Sequence, residues 1–179
     1  ILSGVEESMI RYADSGEFKK LVLNVLAHRT TTAEIKHLTT VFDAYDKENK
    51  GFISHDDFKG ALSHFNFGDE ELYKMFDSVD TSNNGVIQHN EFIAATLEVQ
   101  HRIEETKLRE AFDIIDCDET NYISRENLCH MLGDNCEKEY VDSIMDEVDD
   151  DGDGLISYDN FVSAFREKKM IEIGSIKHQ

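Results

Sequence analysis

The chain contains no proline, so only turns and a few glycines are available to end a helix. It has no run of 18 apolar residues, which excludes a transmembrane helix, and no secretory signal pattern at its start. Basic side chains are scarce: 18 Lys and Arg stand against 38 Asp and Glu, a formal charge of −20. A surface of that sign repels nucleic acid and anionic lipid and attracts cations, so no nucleic-acid partner is expected. The three cysteines, Cys117, Cys129 and Cys136, are odd in number and lack a Cys-x-x-Cys spacing. They read as reduced thiols of a cytoplasmic protein, not as a zinc site or a disulfide frame. The eight histidines are scattered and receive no ligand role. A chain that opens on Ile1 rather than Met reads as a fragment or processed piece, which leaves open a membrane anchor carried on a preceding segment.

What is present is a repeat. Four windows begin with Asp and carry Ile seven residues later: Asp46 to Ile53, Asp80 to Ile87, Asp116 to Ile123 and Asp149 to Ile156, with starts 34, 36 and 33 residues apart. A large apolar residue precedes each Asp by four positions (Phe42, Phe76, Phe112, Met145), and another follows each Ile by five (Phe58, Phe92, Leu128, Phe161). Ile35, Leu38, Val41, Phe42 and Tyr45 fall on one helix face, and Thr31 with Glu34 forms a capping box at its start. The pattern is helix, loop, helix, four times over. An acidic helical bundle without metal would share the apolar stripes but would not place oxygen-bearing residues at alternate positions after each Asp.

Those oxygens point to calcium, a hard cation that takes six to eight oxygen ligands. In a 12-residue EF-hand loop they come from the first, third, fifth, seventh, ninth and twelfth residues, with a sharp turn at the sixth. Loop 2 meets every requirement through Asp80, Ser82, Asn84, the Val86 carbonyl and Glu91, with Gly85 at the turn and Gln88 acting through water. Loop 4 brings together Asp149, Asp151 and Asp153, turns at Gly154, uses the Leu155 carbonyl and closes with Asn160. Three unscreened carboxylates at ~4 Å repel by about 4 kcal/mol per pair, and a divalent ion removes that penalty. Because Asn160 is neutral and monodentate, a lower affinity is expected there. Loop 1 offers Asp46, Glu48 and Asp57, but Lys50 stands at the fifth position and an ammonium has no lone pair. Loop 3 offers Asp116, Asp118 and Thr120, but Asn121 replaces the turning Gly and Asn127 the closing Glu. For loops 1 and 3, binding and a metal-free structural role both remain open.

The fixed isoleucines give a reason to keep all four loops: Ile53 should meet Ile87, and Ile123 should meet Ile156, in short two-stranded contacts between paired hands. The expected fold is all-α, with two calmodulin-like lobes of paired hands over residues 32–101 and 102–170, and a C-terminal tail over 171–179. Residues 1–31 lie outside the hands. Val5, Met9 and Tyr12, then Phe18, Leu21, Val22, Val25 and Leu26, recur at helical spacing, with an interruption near Asp14-Ser15-Gly16. Arg11, Lys19, Lys20 and Arg29 make this segment basic beside an acidic remainder, the type of helix that an opened lobe grips. It could also be a helix that only completes the core of the first lobe.

The stretch Phe18-Lys19-Lys20-Leu21-Val22-Leu23-Asn24-Val25-Leu26-Ala27, followed by Glu34-Ile35-Lys36-His37-Leu38 leading into Asp46, resembles the junction and first hand of calcium-dependent protein kinases of the plant and protist type. The resemblance covers essentially the whole chain and concerns the C-terminal regulatory region of those proteins. It implies a junction helix that inhibits a Ser/Thr kinase domain in cis, and calmodulin-like lobes that seize it when calcium rises. It further implies that the C-terminal lobe grips the helix from about Val5 to Leu26. Lys50, Asn121, Asn127 and Asn160 depart from the family pattern. No His-Arg-Asp loop, Asp-Phe-Gly or glycine-rich nucleotide loop occurs, so the chain itself is expected to be catalytically silent. A free-standing calmodulin-like adaptor or calcium buffer is the alternative reading.

Overall fold

The computed structural model describes residues 2–97, 103–133 and 136–166; the tail expected over 171–179 lies outside them. In chain order the elements are α1 (Leu2–Ala13), α2 (Glu17–Arg29), α3 (Thr32–Tyr45), β1 (Phe52–Ile53), α4 (His55–Ala61), α5 (Asp69–Val79), β2 (Ile87–Gln88), α6 (His89–Thr96), α7 (Glu105–Ile115), α8 (Arg125–Leu132), α9 (Lys138–Val148) and α10 (Tyr158–Arg166). This is an all-α EF-hand fold in which the small sheet only ties loops together.

Local chemistry sets the boundaries. At the start of α3, Thr31 N and Oγ both donate to Glu34 Oε2, at 2.8 and 2.7 Å, which satisfies orphan groups of the first turn. Ser54 with Asp57 and Ser124 with Asn127 repeat the device at α4 and α8. The break between α1 and α2 falls at Asp14-Ser15-Gly16, where Ser15 Oγ folds back to the Arg11 carbonyl at 2.8 Å. Ile53 pairs with Ile87 across β1 and β2, and Ile123 pairs with Ile156 in an isolated antiparallel bridge.

The eight repeat residues that flank the loops are all buried. Phe92 stands edge-on to Phe42 with centroids 5.5 Å apart, Phe58 to Phe76 at 5.6 Å, and Phe112 to Phe161 at 5.4 Å. Each such pair adds about 0.5–1.5 kcal/mol beyond the burial of its area. These clusters are the cores of the first hand pair (α3 to α6) and the second (α7 to α10).

The leading helices divide between them. Helix α1 packs on α5 and α6 of the first pair. Helix α2 packs on α6 and, on its other side, on α7, α9 and α10. The expected grip on Val5 to Leu26 by the C-terminal lobe is therefore corrected for α1: Val5, Met9 and Tyr12 belong to a helix seated mainly on the first pair, while α2 packs on both pairs. Helix α2 is also more than amphipathic, because Lys20, Leu23 and Ala27 are buried along with Phe18, Leu21, Val22, Val25 and Leu26. A helix enclosed from two sides needs apolar residues around most of its circumference.

A second correction concerns sulfur. Cys129 and Cys136 form a disulfide, with Cα atoms 4.9 Å apart, while Cys117 is free and exposed. The chain turns at Gly133, where φ is +56°, and this brings Cys136 back to the last turns of α8.

Candidate metal centres

The four loops share one backbone shape. The fourth residue has positive φ in each (Asn49, Asn83, Glu119, Gly152), and so does the sixth (Gly51, Gly85, Asn121, Gly154). Asn121 adopts φ +66°, so the expected substitution of Asn for the turning Gly is tolerated. In each loop the leading Asp closes the turn by accepting backbone N–H groups. Asp46 takes those of Lys50 and Gly51 at 2.9 and 2.7 Å, and Asp80 those of Asn84 and Gly85 at 3.1 and 2.7 Å. Asp116 takes those of Thr120 and Asn121 at 3.0 and 2.8 Å, and Asp149 those of Gly152 and Gly154, both at 2.9 Å.

The closing residues differ, and the difference is chemical. Glu91 has two oxygens and uses them in two directions. Oε2 accepts Gln88 N at 2.8 Å, and Oε1 reaches across the loop to Ser82 N at 2.9 Å and Thr81 Oγ1 at 3.3 Å. Asp80 and Glu91 are both buried. Among the described residues, the groups bonded to these two carboxylates are N–H groups and hydroxyls, with no ammonium or guanidinium among them. Buried carboxylates facing one loop without a cation are costly. This donor set fits a hard divalent cation, with Ser82, Asn84 and the Val86 carbonyl beside it.

In loop 4, oxygens of Asp149, Asp151 and Asp153 lie within 4.8 Å of one another. The crowding registers on Asp151: its hydrogen bond with Asp149, then the charge of Asp153, push its carboxyl above the ordinary carboxylate range. The site therefore also fits a cation. Asn160 has one amide oxygen, and it is engaged by Ser157 N at 3.2 Å and Ser157 Oγ at 2.5 Å, so the second arm that Glu91 extends across loop 2 has no counterpart here.

Loops 1 and 3 are occupied by their own side chains. Lys50 Nζ sits 2.6 Å from Glu48 Oε2. The hydrogen bond that Lys50 donates to Glu48, with added charge from Glu48, Asp57 and Asp46, raises the Lys50 pKa. Asp57 is turned to Ser54, accepting N at 3.2 Å and Oγ at 2.5 Å. In loop 3, Asn127 is buried. Its Oδ1 accepts Ser124 N at 2.8 Å, which fixes the amide orientation, and its Nδ2 donates to Asp118 Oδ1 at 3.2 Å and to Cys117 Sγ at 3.4 Å.

The eight candidate residues of the leading segment are all buried, and polar links join that segment to the hands. Tyr12 OH accepts from Asn24 Nδ2 at 3.0 Å. Burial raises the Tyr12 pKa despite that bond, and Tyr140, Glu17 and Glu91 add smaller rises. His28 Nδ1 lies 3.3 Å from Asn90 Nδ2 at the start of α6. On the other side, Tyr140 OH donates to Glu17 Oε2 at 3.1 Å and Phe18 stands edge-on to Phe161 at 5.2 Å. The sequence reading missed Glu6, a buried carboxylate that accepts Tyr45 OH at 3.1 Å and lies 2.8 Å from His64 Nε2. Its place beside Val5, three residues before Met9, was the available signal.

Comparison with known proteins agrees with this geometry. The EF-hand domain pair matches twice, over residues 35–97 and 105–166. Calcium-dependent protein kinase 29 of Arabidopsis thaliana is 38% identical over 174 residues, covering 93% of this chain and 32% of its own length. Calcium-dependent protein kinase 3 of Oryza sativa subsp. japonica is 30% identical over 167 residues, covering 90% of this chain and 30% of its own. The chain thus spans about a third of the length of the curated relatives it matches. Among the described residues no helix is long and apolar enough to cross a membrane. With two matched EF-hand pairs that account for most of its length, the chain belongs to the EF-hand family.

Proposed function

We propose that this chain is the calcium-sensing regulatory region of a longer protein, and that it relieves autoinhibition of a Ser/Thr kinase domain attached in cis, in the cytoplasm. In this reading Asp80, Ser82, Asn84, the Val86 carbonyl and Glu91 hold one Ca²⁺. Asp149, Asp151, Asp153, the Leu155 carbonyl and Asn160 hold a second, more weakly. When bound, Ca²⁺ supplies a compact double positive charge that offsets the carboxylates around it. One observation carries the reading: α6, whose first turn contains Glu91, is the helix on which both α1 and α2 pack. Glu91 joins the front of loop 2 to the start of α6, so a change in its partners shifts α6 against its neighbours. Helix α2 also touches α7, α9 and α10, so it responds to both pairs. An EF-hand switch is a local electrostatic event read out by a bistable helix arrangement.

Two measurements test this. Hydrogen exchange on the whole chain should change in α1 and α2 between calcium and chelator, and Glu91→Gln should remove most of the α1 change. A buffer would bind the ion and leave both helices alike in the two conditions. In the full-length protein, calcium should raise phosphorylation of a Ser/Thr peptide, and kinase activity indifferent to calcium would sink the proposal.

A further inference from the structure

The contrast among the four loops goes further than the reading above, on which it rests. We propose that hands 1 and 3 carry built-in substitutes for the ion, the Lys50 ammonium in loop 1 and the Asn127 amide in loop 3, so that the chain takes up two Ca²⁺, one per hand pair. All four loops already have the same backbone form, set by the leading Asp and two residues of positive φ. What differs is which group the carboxylates face. In loop 1 the third-position carboxylate of Glu48 holds the Lys50 ammonium at 2.6 Å, while Asp46 is taken up by the backbone N–H groups of Lys50 and Gly51 and Asp57 by Ser54. The positive charge that the third position faces is covalently part of the chain.

In loop 3 the substitute is the side-chain amide N–H of Asn127, with the Thr120 hydroxyl beside it. Asn127 Nδ2 reaches back from the closing position to Asp118 Oδ1 at 3.2 Å, and Thr120 Oγ1 lies 3.2 Å from Asp116 Oδ1 and 3.4 Å from Asp118 Oδ1. While Asn127 Nδ2 donates to it, Asp118 Oδ1 faces an N–H rather than a cation. Loop 2 shows the opposite arrangement, because Glu91 presents only acceptors. Each pair thus joins one fixed hand to one ion-responsive hand, through Ile53–Ile87 in the first and Ile123–Ile156 in the second. With a single ion per pair, binding within a pair has no second site to cooperate with, and each pair titrates with a Hill coefficient of about 1.

The test is an ion count on the whole chain, by calorimetry and by native mass spectrometry in calcium. The wild type should take up two ions. Lys50→Asp should add a third by replacing the ammonium with a carboxylate, and Asn127→Glu should independently add a third by replacing the donor with a bidentate acceptor; both together should give four. Circular dichroism of each variant in chelator confirms that the helices are intact. A wild type that already binds three or four ions overturns the proposal, and a folded variant that gains no site overturns it for that loop. A wild type that binds none overturns instead the calcium assignment of loops 2 and 4, and a Glu91→Gln variant that still binds two overturns that of loop 2.

Discussion

Lys107 Nζ lies 2.6 Å from Glu34 Oε1 and so ties α7 of the second hand pair to α3 of the first. Glu34 uses its other oxygen for the Thr31 cap, and the two functions act on one carboxyl. The hydrogen bond from Lys107, then those from Thr31, hold its pKa down to about 2 from an ordinary 4.5. A carboxyl lowered in the folded state contributes in full above its ordinary value, and the contribution is lost as pH falls from there through about 2. The side chains are 36% and 45% exposed, so screening keeps the bridge within about 0–1 kcal/mol. Lys107→Met should lower stability to urea by less than about 1 kcal/mol at neutral pH and low salt. It should also weaken the dependence of stability on pH below 4.5, where Glu34 titrates. An unchanged acid limb would mean that Thr31 alone sets the titration.

Glu6 fastens α1 to the first hand. Its carboxylate is 4% exposed and accepts Tyr45 OH, and burial, then the charge of Glu6, push the Tyr45 pKa up. Removing an acceptor from a buried donor costs about 1–3 kcal/mol. Glu6→Ala should therefore destabilise by about that amount, whereas Glu6→Gln, which keeps an acceptor oxygen of the same reach, should cost less. Combining Glu6→Ala with Tyr45→Phe separates the pair from the rest, with an expected coupling of about 0.5–3 kcal/mol in urea denaturation. Additive effects would mean that the hydroxyl finds another partner once Glu6 is gone.

The loops and the hand pairing were legible in the sequence because their causes are local. Asp at the first position, an αL-tolerant residue at the sixth and Ile at the eighth specify the turn and its bridge without reference to anything distant, and the flanking Phe and Leu residues then had to be core. The Thr31–Glu34 cap was legible for the same reason. What lay hidden depended on long-range packing. Leu23 and Ala27 fall off the apolar stripe of α2, and nothing local says that a second set of helices will cover them. Glu6 carried little signal of its own because its partners, Tyr45 and His64, are far along the chain. The Lys50–Glu48 contact shows a middle case: the sequence indicated that Lys50 could not be a ligand, but only the geometry shows it paired with one.

The sulfur chemistry gives a prediction that is independent of calcium. Cys117 is free and exposed, while Cys129 and Cys136 are joined. Under native conditions without reductant, a thiol reagent should label one site, Cys117. With a strong dithiol reductant the count should rise to three, the number of cysteines in the chain. In a glutathione-buffered compartment the pair is expected to be reduced. Mass spectrometry of protein purified with and without alkylation at lysis reads both states. Three labelled thiols in the untreated, air-exposed protein would show that Cys129 and Cys136 do not pair.

Phe18 joins the leading segment to the core of the second hand pair. Its ring is fully buried and stands edge-on to Phe161, 5.2 Å between centroids, while α2 also packs on α6 of the first pair. Cutting a buried Phe to Ala costs about 3–5 kcal/mol through lost burial and the cavity left behind. The loss here falls on the joint between the pairs rather than inside one of them. Phe18→Ala should therefore do more than lower the melting temperature in calcium-free scanning calorimetry. It should split a single cooperative transition into two, because the element through which each pair senses the other no longer holds the second. Phe58→Ala, which removes a ring from the first pair's own core, should destabilise by a similar amount. One broad transition, shifted alike by both substitutions, would mean that α2 is not the joint and that the pairs are coupled elsewhere.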